Sequence, residues 1–210
     1  MMSTDRNVRF ILGVTIGLSL FFFVLRLLQA WYKDNRNSAR ESPSDLSGCM
    51  HVIWSQINLL CGGDLDPKQL RLTLFRVNGE ELEQCIDYVG GDDANGKAGR
   101  TFSLRSGIIG KVALTGNPVL AQRTDKDYER FLTEMAAEWH IPIAEGRNLR
   151  TDRWSWFGVP IKSETGSTIG IIFCDSNVEN FFTEPVQQAI IAGAHGVSAY
   201  VHHRYRDLKG

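Results

Sequence analysis

The stretch Ser106 to Gln122, SGIIGKVALTGNPVLAQ, places Gly107, Gly110 and Gly116 around Lys111, a composition that could cradle a phosphate. A G-x-x-x-x-G-K-[ST] loop needs a glycine at position 105 and a hydroxyl after the lysine to reach magnesium. The chain has Arg105 and Val112 there, and the glycines also miss the G-x-G-x-x-G spacing of a dinucleotide turn. A short helix fits better: Ser106 to cap it, Ile108, Ile109, Val112 and Ala113 to face inward, Gly116 to end it left-handed.

Other chemistry is sparse. His51, His140, His195, His202 and His203 form no i, i+4 pair and stand near no cysteine at metal-ligand spacing, so no metal site is expected. His202 and His203 fall near a helix C-terminus, where partial positive charge is favoured. Cys49, Cys61, Cys85 and Cys174 make no C-x-x-C pair, which suits a reducing compartment better than a disulfide scaffold. Cys174 sits in an apolar strand and reads as a core thiol, so no nucleophile, acid and base assemble and the chain is expected not to be an enzyme.

What remains is a dense aromatic segment: Tyr128, Phe131, Trp139, Trp154, Trp156 and Phe157. If RWSWFGVPI is a strand, Trp154 and Trp156 share one face while Ser155 and Phe157 share the other. Tyr128, Trp139, Trp154 and Trp156, with Arg123 and Asp125 as polar anchors and Arg153 beside them, are the candidate ligand-binding residues, since small-molecule sites are mostly apolar with few polar groups. The competing reading is a filled core beneath a long covering segment, and the sequence leaves both open. No cofactor can be named.

The elements that must position these residues follow from periodicity. Leu46, Met50, Ile53, Ile57 and Leu60 recur at steps of four, three, four and three, an amphipathic helix stopped by Gly62 and Gly63. Its default role is packing on its own sheet, and the spacing also suits pairing with a second copy. LRLTLFRV (Leu70 to Val77) alternates, and Asn78-Gly79 signals a hairpin into ELEQCIDYV, Glu81 to Val89. A short strand is expected near Phe102 to Leu104, another at PVLAQ, and a helix over Tyr128 to His140. SWFGVPIKS and TIGIIFCDS form a second hairpin across ETGS. Thr183 then caps a long helix with Pro185 in its first turn and Val186, Ile190, Val197 and Val201 on its buried face. Gly193 and Gly196 permit close approach on a neighbouring stripe. Two tight hairpins between terminal helices make an α+β domain with an antiparallel sheet and those helices on one side.

The N-terminus is of another kind. FILGVTIGLSLFFFVL, Phe10 to Leu25, has no charge, and residues 8–32 stay mostly apolar around Arg9 and Arg26. About 20 helical residues span a bilayer core, arginines near the ends snorkel, and Trp31 and Tyr32 fall at an interfacial belt. Bulky Leu28 disfavours signal-peptide cleavage after Ala30, and a core helix would show a polar face. The expectation is one transmembrane helix within residues 1–32, a polar linker over 33–44 and a domain over 45–210. Arg26, Lys33, Arg36 and Arg40 outnumber Arg6 and Arg9, which places the domain in the cytoplasm. Across 210 residues the net charge is -1 and no basic block appears, so nucleic acid is not an expected partner.

SGIIGKVALTGNPVLA, SWFGVPI, and STIGIIFCDS followed by NFFTEPVQQAIIAGAHGVSAYV resemble, in order, the segments of GAF domains over about Asp45 to Arg206. The resemblance implies a twisted antiparallel sheet with the terminal helices on one face and any ligand on the other, beneath the variable central segment. It implies a sensory or regulatory binding module, or a ligand-free dimerisation scaffold for a partner. The family's free methionine-R-sulfoxide reductases depend on cysteines around the central segment, and here Leu104 to Phe173 holds none. Neither the Asn-Lys-Phe-Asp-Glu motif of cyclic-nucleotide binders nor the surround of a bilin is recognisable. With four residues after Arg206, any signal is expected to pass through the membrane helix, a dimer interface or a separate partner.

Overall fold

The computed structural model describes residues 44–91, 97–147 and 149–206. The apolar span over residues 8–32 and its linker up to residue 43 lie outside them; among the described residues no helix is long and apolar enough to cross a membrane.

Helix α1 (Ser44–Leu60) is followed by a 3-10 turn at Pro67–Gln69, then strands β1 (Leu70–Asn78), β2 (Glu81–Gln84) and β3 (Thr101–Ser103). Next come α2 (Gly107–Thr115), β4 (Val119–Gln122), α3 (Tyr128–Trp139), α4 (Ile143–Gly146), β5 (Ser155–Lys162), β6 (Thr168–Ser176) and α5 (Glu184–Arg206). The strands form one six-stranded sheet in the order β3-β2-β1-β6-β5-β4, with every neighbouring pair antiparallel. Gly79 turns β1 into β2 at φ 62°, and Gly166 turns β5 into β6 at φ 82°, conformations a side chain would oppose.

Alternation on the strands divides the sheet. Leu70, Leu72 and Leu74 of β1, Phe157, Val159 and Ile161 of β5, and Ile172 and Cys174 of β6 face α1 and α5. There they meet Leu46, Met50, Ile53 and Ile57, together with Val186, Ile190, Val197 and Val201, in the larger core. Burying each such aliphatic side chain stabilises the fold by about 1.5–3 kcal/mol, which fixes both helices to this face. Phe75, Leu82, Ala121 and Ile171 face the other way and join Ile108, Ile109 and Val112 in a second core under α2.

Two glycines let α2 sit close. A Cβ on Gly110 would lie 2.6 Å from the Leu104 carbonyl oxygen, and one on Gly158 would lie 2.7 Å from Val112 Cγ2. Gly116 ends α2 at φ 62°, its N–H donating to the Val112 carbonyl at 2.9 Å.

Several expectations need correction. Ser106 occupies the N-cap position without capping: its hydroxyl donates instead to the His140 carbonyl. The second strand ends at Gln84: Cys85 still donates its N–H to the Leu74 carbonyl, and the chain then leaves the ladder until Val89 pairs with Leu72. Leu60 ends α1 exposed, beyond the reach of the core. Gly193 does permit close approach, since its Cβ would meet Ile53 Cδ1 at 2.5 Å, whereas Gly196 faces open space.

Candidate functional site

The face away from α1 and α5 has an apolar half roofed by α2 and a polar half that is equally buried. Along β1 this face carries Arg71, Thr73 and Phe75 in turn, so the character changes within about 14 Å of strand. Phe75 makes edge contacts with Phe102 and Phe173 at the apolar end.

At the polar end Arg71 and Asp175 are cross-strand neighbours of β1 and β6. Arg71 donates from Nε to Asp175 Oδ1 at 2.8 Å and from Nη2 to Oδ2 at 2.7 Å, a bidentate pair. Tyr88 lies over the same guanidinium, 4.3 Å from its ring centre. Arg153, just ahead of β5, brings its Nε to 3.2 Å from Asp175 Oδ1 and donates from Nη1 to the Lys68 carbonyl at 3.1 Å. Its side chain is only 2% exposed. Burial pushes its basicity down, and the charge of Asp175 opposes that shift.

Beside this cluster, the Thr73 hydroxyl donates to the Ile86 carbonyl at 2.8 Å. The Gln84 amide nitrogen donates to Thr73 Oγ1 and to the Ile86 carbonyl at 3.1 and 2.9 Å. Three buried polar atoms on these residues have no hydrogen-bond partner: Gln84 Oε1, Arg153 Nε and Arg153 Nη2. A desolvated polar atom without a partner costs roughly 1–3 kcal/mol, so each needs a reason.

The aromatic segment packs alongside. Trp156 stacks on Phe131 of α3, ring centres 5.4 Å apart and planes within 9°. The Arg123 guanidinium lies 4.7 Å from the Trp154 ring centre, 5.2 Å from Phe131 and 5.4 Å from Tyr128. Its N–H groups donate to the carbonyls of Asp125, Lys126 and Thr151. Arg123 therefore staples the segment after β4 to the one before β5 and has its fork already engaged. The Tyr128 hydroxyl donates to the Gly146 carbonyl at 2.9 Å. Asp125 accepts from the Asp127 N–H and lies 3.5 Å from Arg130; the Asp127 N–H and the Arg130 charge hold its carboxyl below the usual range.

Of the residues singled out from sequence, Arg123, Tyr128, Trp154 and, through Phe131, Trp156 come together. Asp125 flanks them on a half-exposed loop. Trp139 lies at the far end of α3, about 16 Å from Tyr128 along the helix, with Lys111 Nζ 4.6 Å from its ring centre. The tryptophans do share the face away from the terminal helices, since Ser155 and Phe157 are buried on the other.

Arg71, Thr73, Gln84 and Asp175 were not legible as site residues. Alternation in LRLTLFRV marks Arg71 and Thr73 as one face, and a polar face normally means solvent. Only the covering of both faces turns them into a desolvated floor. Among the described residues no cluster of three or more His, Cys, Asp or Glu could hold a metal ion. Burial pushes the Cys85 thiol up to about 12, and that of Cys174 well above its ordinary 9.0.

No protein-family model matches the sequence, and no curated protein matches it. Solved structures do match. One described as the structure of the GAF domain aligns with a TM-score of 0.53 at 17% identity, covering 84% of this chain and 86% of that one. The GAF domain of an Acinetobacter phosphoenolpyruvate-protein phosphotransferase aligns at TM-score 0.48 and 11% identity, covering 78% of this chain and 96% of that one. A type II free methionine-R-sulfoxide reductase from Thermoplasma acidophilum aligns at TM-score 0.49 and 16% identity, covering 74% and 96%. The first of these carries the comparison: the fold is GAF-like.

Proposed function

We propose, from the premise of a GAF-like fold, that the chain is a regulatory module that binds a small molecule on the sheet face opposite its terminal helices. One observation carries the reading: Gln84 Oε1 and Arg153 Nη2 are buried on the floor of that face without hydrogen-bond partners, and Arg153 Nε lies 3.2 Å from Asp175 Oδ1 without making one. A fold gains nothing from such atoms, whereas a binding floor keeps hydrogen-bonding capacity for its ligand. The aromatic cluster around Arg123 serves as the wall that holds the segments beside this floor. The binding reading is preferred over catalysis because burial pushes the two most buried thiols, Cys85 and Cys174, above their ordinary range, which disfavours the thiolate a nucleophile needs.

The apolar span over residues 8–32 anchors the module to a membrane in this proposal, with the basic flank after it holding the domain in the cytoplasm. A reporter fused after Gly210 that gave an extracytoplasmic signal would contradict that orientation.

A second reading, a dimerisation scaffold, draws support from α1. His51, Val52, Ser55, Gln56 and Leu59 form an outward groove without Asp, Glu, Lys or Arg, with Val52 68% and Leu59 74% exposed. A second copy packing α1 and α5 against its own would cover it. The two readings are separable on the full chain in detergent micelles. Native mass spectrometry showing a retained small molecule supports the binding module. A dimer that carries no compound, with no thermal shift across a metabolite panel, favours the scaffold.

A further inference from the structure

The polar floor has a chemical preference of its own. Asp175 already accepts from Arg71 Nε and Nη2 through its two oxygens. Arg153 approaches the same carboxylate at 3.2 Å without hydrogen-bond geometry, and its other carboxylate neighbour, the half-exposed Asp152, stands 3.6 Å away. One of its five N–H donors is spent, on the Lys68 carbonyl. A guanidinium cannot shed its proton to escape burial. A water would satisfy its donors, whereas an oxyanion would satisfy them and also balance the positive charge of two guanidinium groups that share the one Asp175 carboxylate.

The second orphan has the opposite sign. Gln84 commits its nitrogen to two acceptors, so the atom left over is the oxygen, which requires a donor. Gln84 reaches Thr73, and Thr73 is two residues from Arg71 on the same face, about 7 Å along the strand. Arg153 meets Arg71 at Asp175. The two unused groups therefore lie on one strip of floor, on the order of 10 Å apart by strand geometry.

We infer that this floor recognises a small ligand with a carboxylate or phosphate at one end, taken by Arg153, and a hydroxyl or amine near the other, donating to Gln84 Oε1. The inference rests on the binding-module reading above and adds the ligand's class to it. Arg71 and Asp175 position the Arg153 fork. Arg123 plays no part in the anion site, its fork being filled by backbone carbonyls.

The test uses the full chain in neutral detergent at constant ionic strength, with thermal unfolding read against three probes: inorganic phosphate, succinate, and the uncharged succinamide. A saturable rise in midpoint with phosphate or succinate and none with succinamide is expected; the two anions distinguish phosphate from carboxylate recognition. Arg153→Gln should raise the apparent Kd for the effective anion about tenfold or more, the value of one lost charge-assisted hydrogen bond, and Arg153→Lys should restore part of it. Should Arg153→Gln fail to fold, the wild-type contrast between succinate and succinamide decides alone. A shift with succinamide equal to that with succinate, or a retained neutral compound, overturns the anionic class and leaves the binding module standing. No shift with any probe, together with no retained compound by native mass spectrometry, overturns both.

Discussion

Arg71 and Asp175, 104 residues apart in sequence, are joined by two hydrogen bonds of 2.8 and 2.7 Å inside the sheet face that carries no terminal helix. The pair ties the start of β1 to the end of β6, and Arg153 leans on the same carboxylate.

Removing that carboxylate's charge should therefore strand two guanidinium groups at once. Asp175→Asn is expected to cost about 3–5 kcal/mol in urea unfolding, the usual penalty for breaking a buried ion pair. Adding Arg153→Met should recover part of the loss, because one fewer buried cation then lacks a partner. Strictly additive effects would mean that Arg153 does not share the carboxylate.

Arg123 acts through geometry. Arg123→Lys keeps the charge and loses the planar fork that meets three carbonyls, so the segment from 124 to 151 should loosen while the sheet holds. Hydrogen exchange should rise within that segment, including the first turn of α3, and stay unchanged in β1 and β6. Equal exchange throughout would remove the staple from the account.

Glycines on packed and open faces should respond in opposite directions. Gly193→Val drives a branched side chain into Ile53, and overpacking of this kind costs about 1–3 kcal/mol. Gly196→Ala meets nothing within 4 Å and should gain up to about 1 kcal/mol from helix propensity. Gly110→Ala presses on backbone, not on a mobile side chain, and should be the least tolerated of the three. Urea midpoints of the single variants check the order.

Thiol chemistry should follow burial. Iodoacetamide at pH 8 should label exposed Cys61 first and leave Cys85 and Cys174 unmodified until the chain unfolds, as read by peptide mass spectrometry. The pH dependence has a definite sign. Cys85 ionises near the ordinary 9.0 when unfolded and at about 12 when folded, and Cys174 shifts the same way. Their contribution to stability is intact below pH 9 and is lost as pH rises toward 12. Cys85→Ser should flatten that alkaline loss.

Much of the fold was readable because its signals are local. The Asn78-Gly79 turn, the ETGS turn, the Leu46 to Ile57 spacing and the α2 segment each express a short-range rule, and each appears where the sequence places it. Ser106 departs from its rule: its hydroxyl is drawn to the His140 carbonyl, 34 residues away, and accepts from no N–H of the α2 first turn. The site was half readable for a related reason. Aromatic density singled out Trp154 and Trp156, which lie on the face away from the terminal helices, but the polar floor depends on Asp175 meeting Arg71 and on Gln84 meeting Thr73. Those contacts are set by strand order and register, which no local pattern encodes. Arg123 looked like a ligand anchor because a lone arginine among aromatics reads the same whether its fork faces a ligand or a backbone.

The central claim is that the sheet face bearing Gln84 and Arg153 is a ligand floor. A crystal structure of the full chain, purified under native conditions without added anions, tests it most directly. The account predicts non-protein, non-water density bonded to Arg153 Nη2 and continuing toward Gln84 Oε1. Ordered waters alone on both atoms, or side chains repacked to satisfy each other, would contradict it.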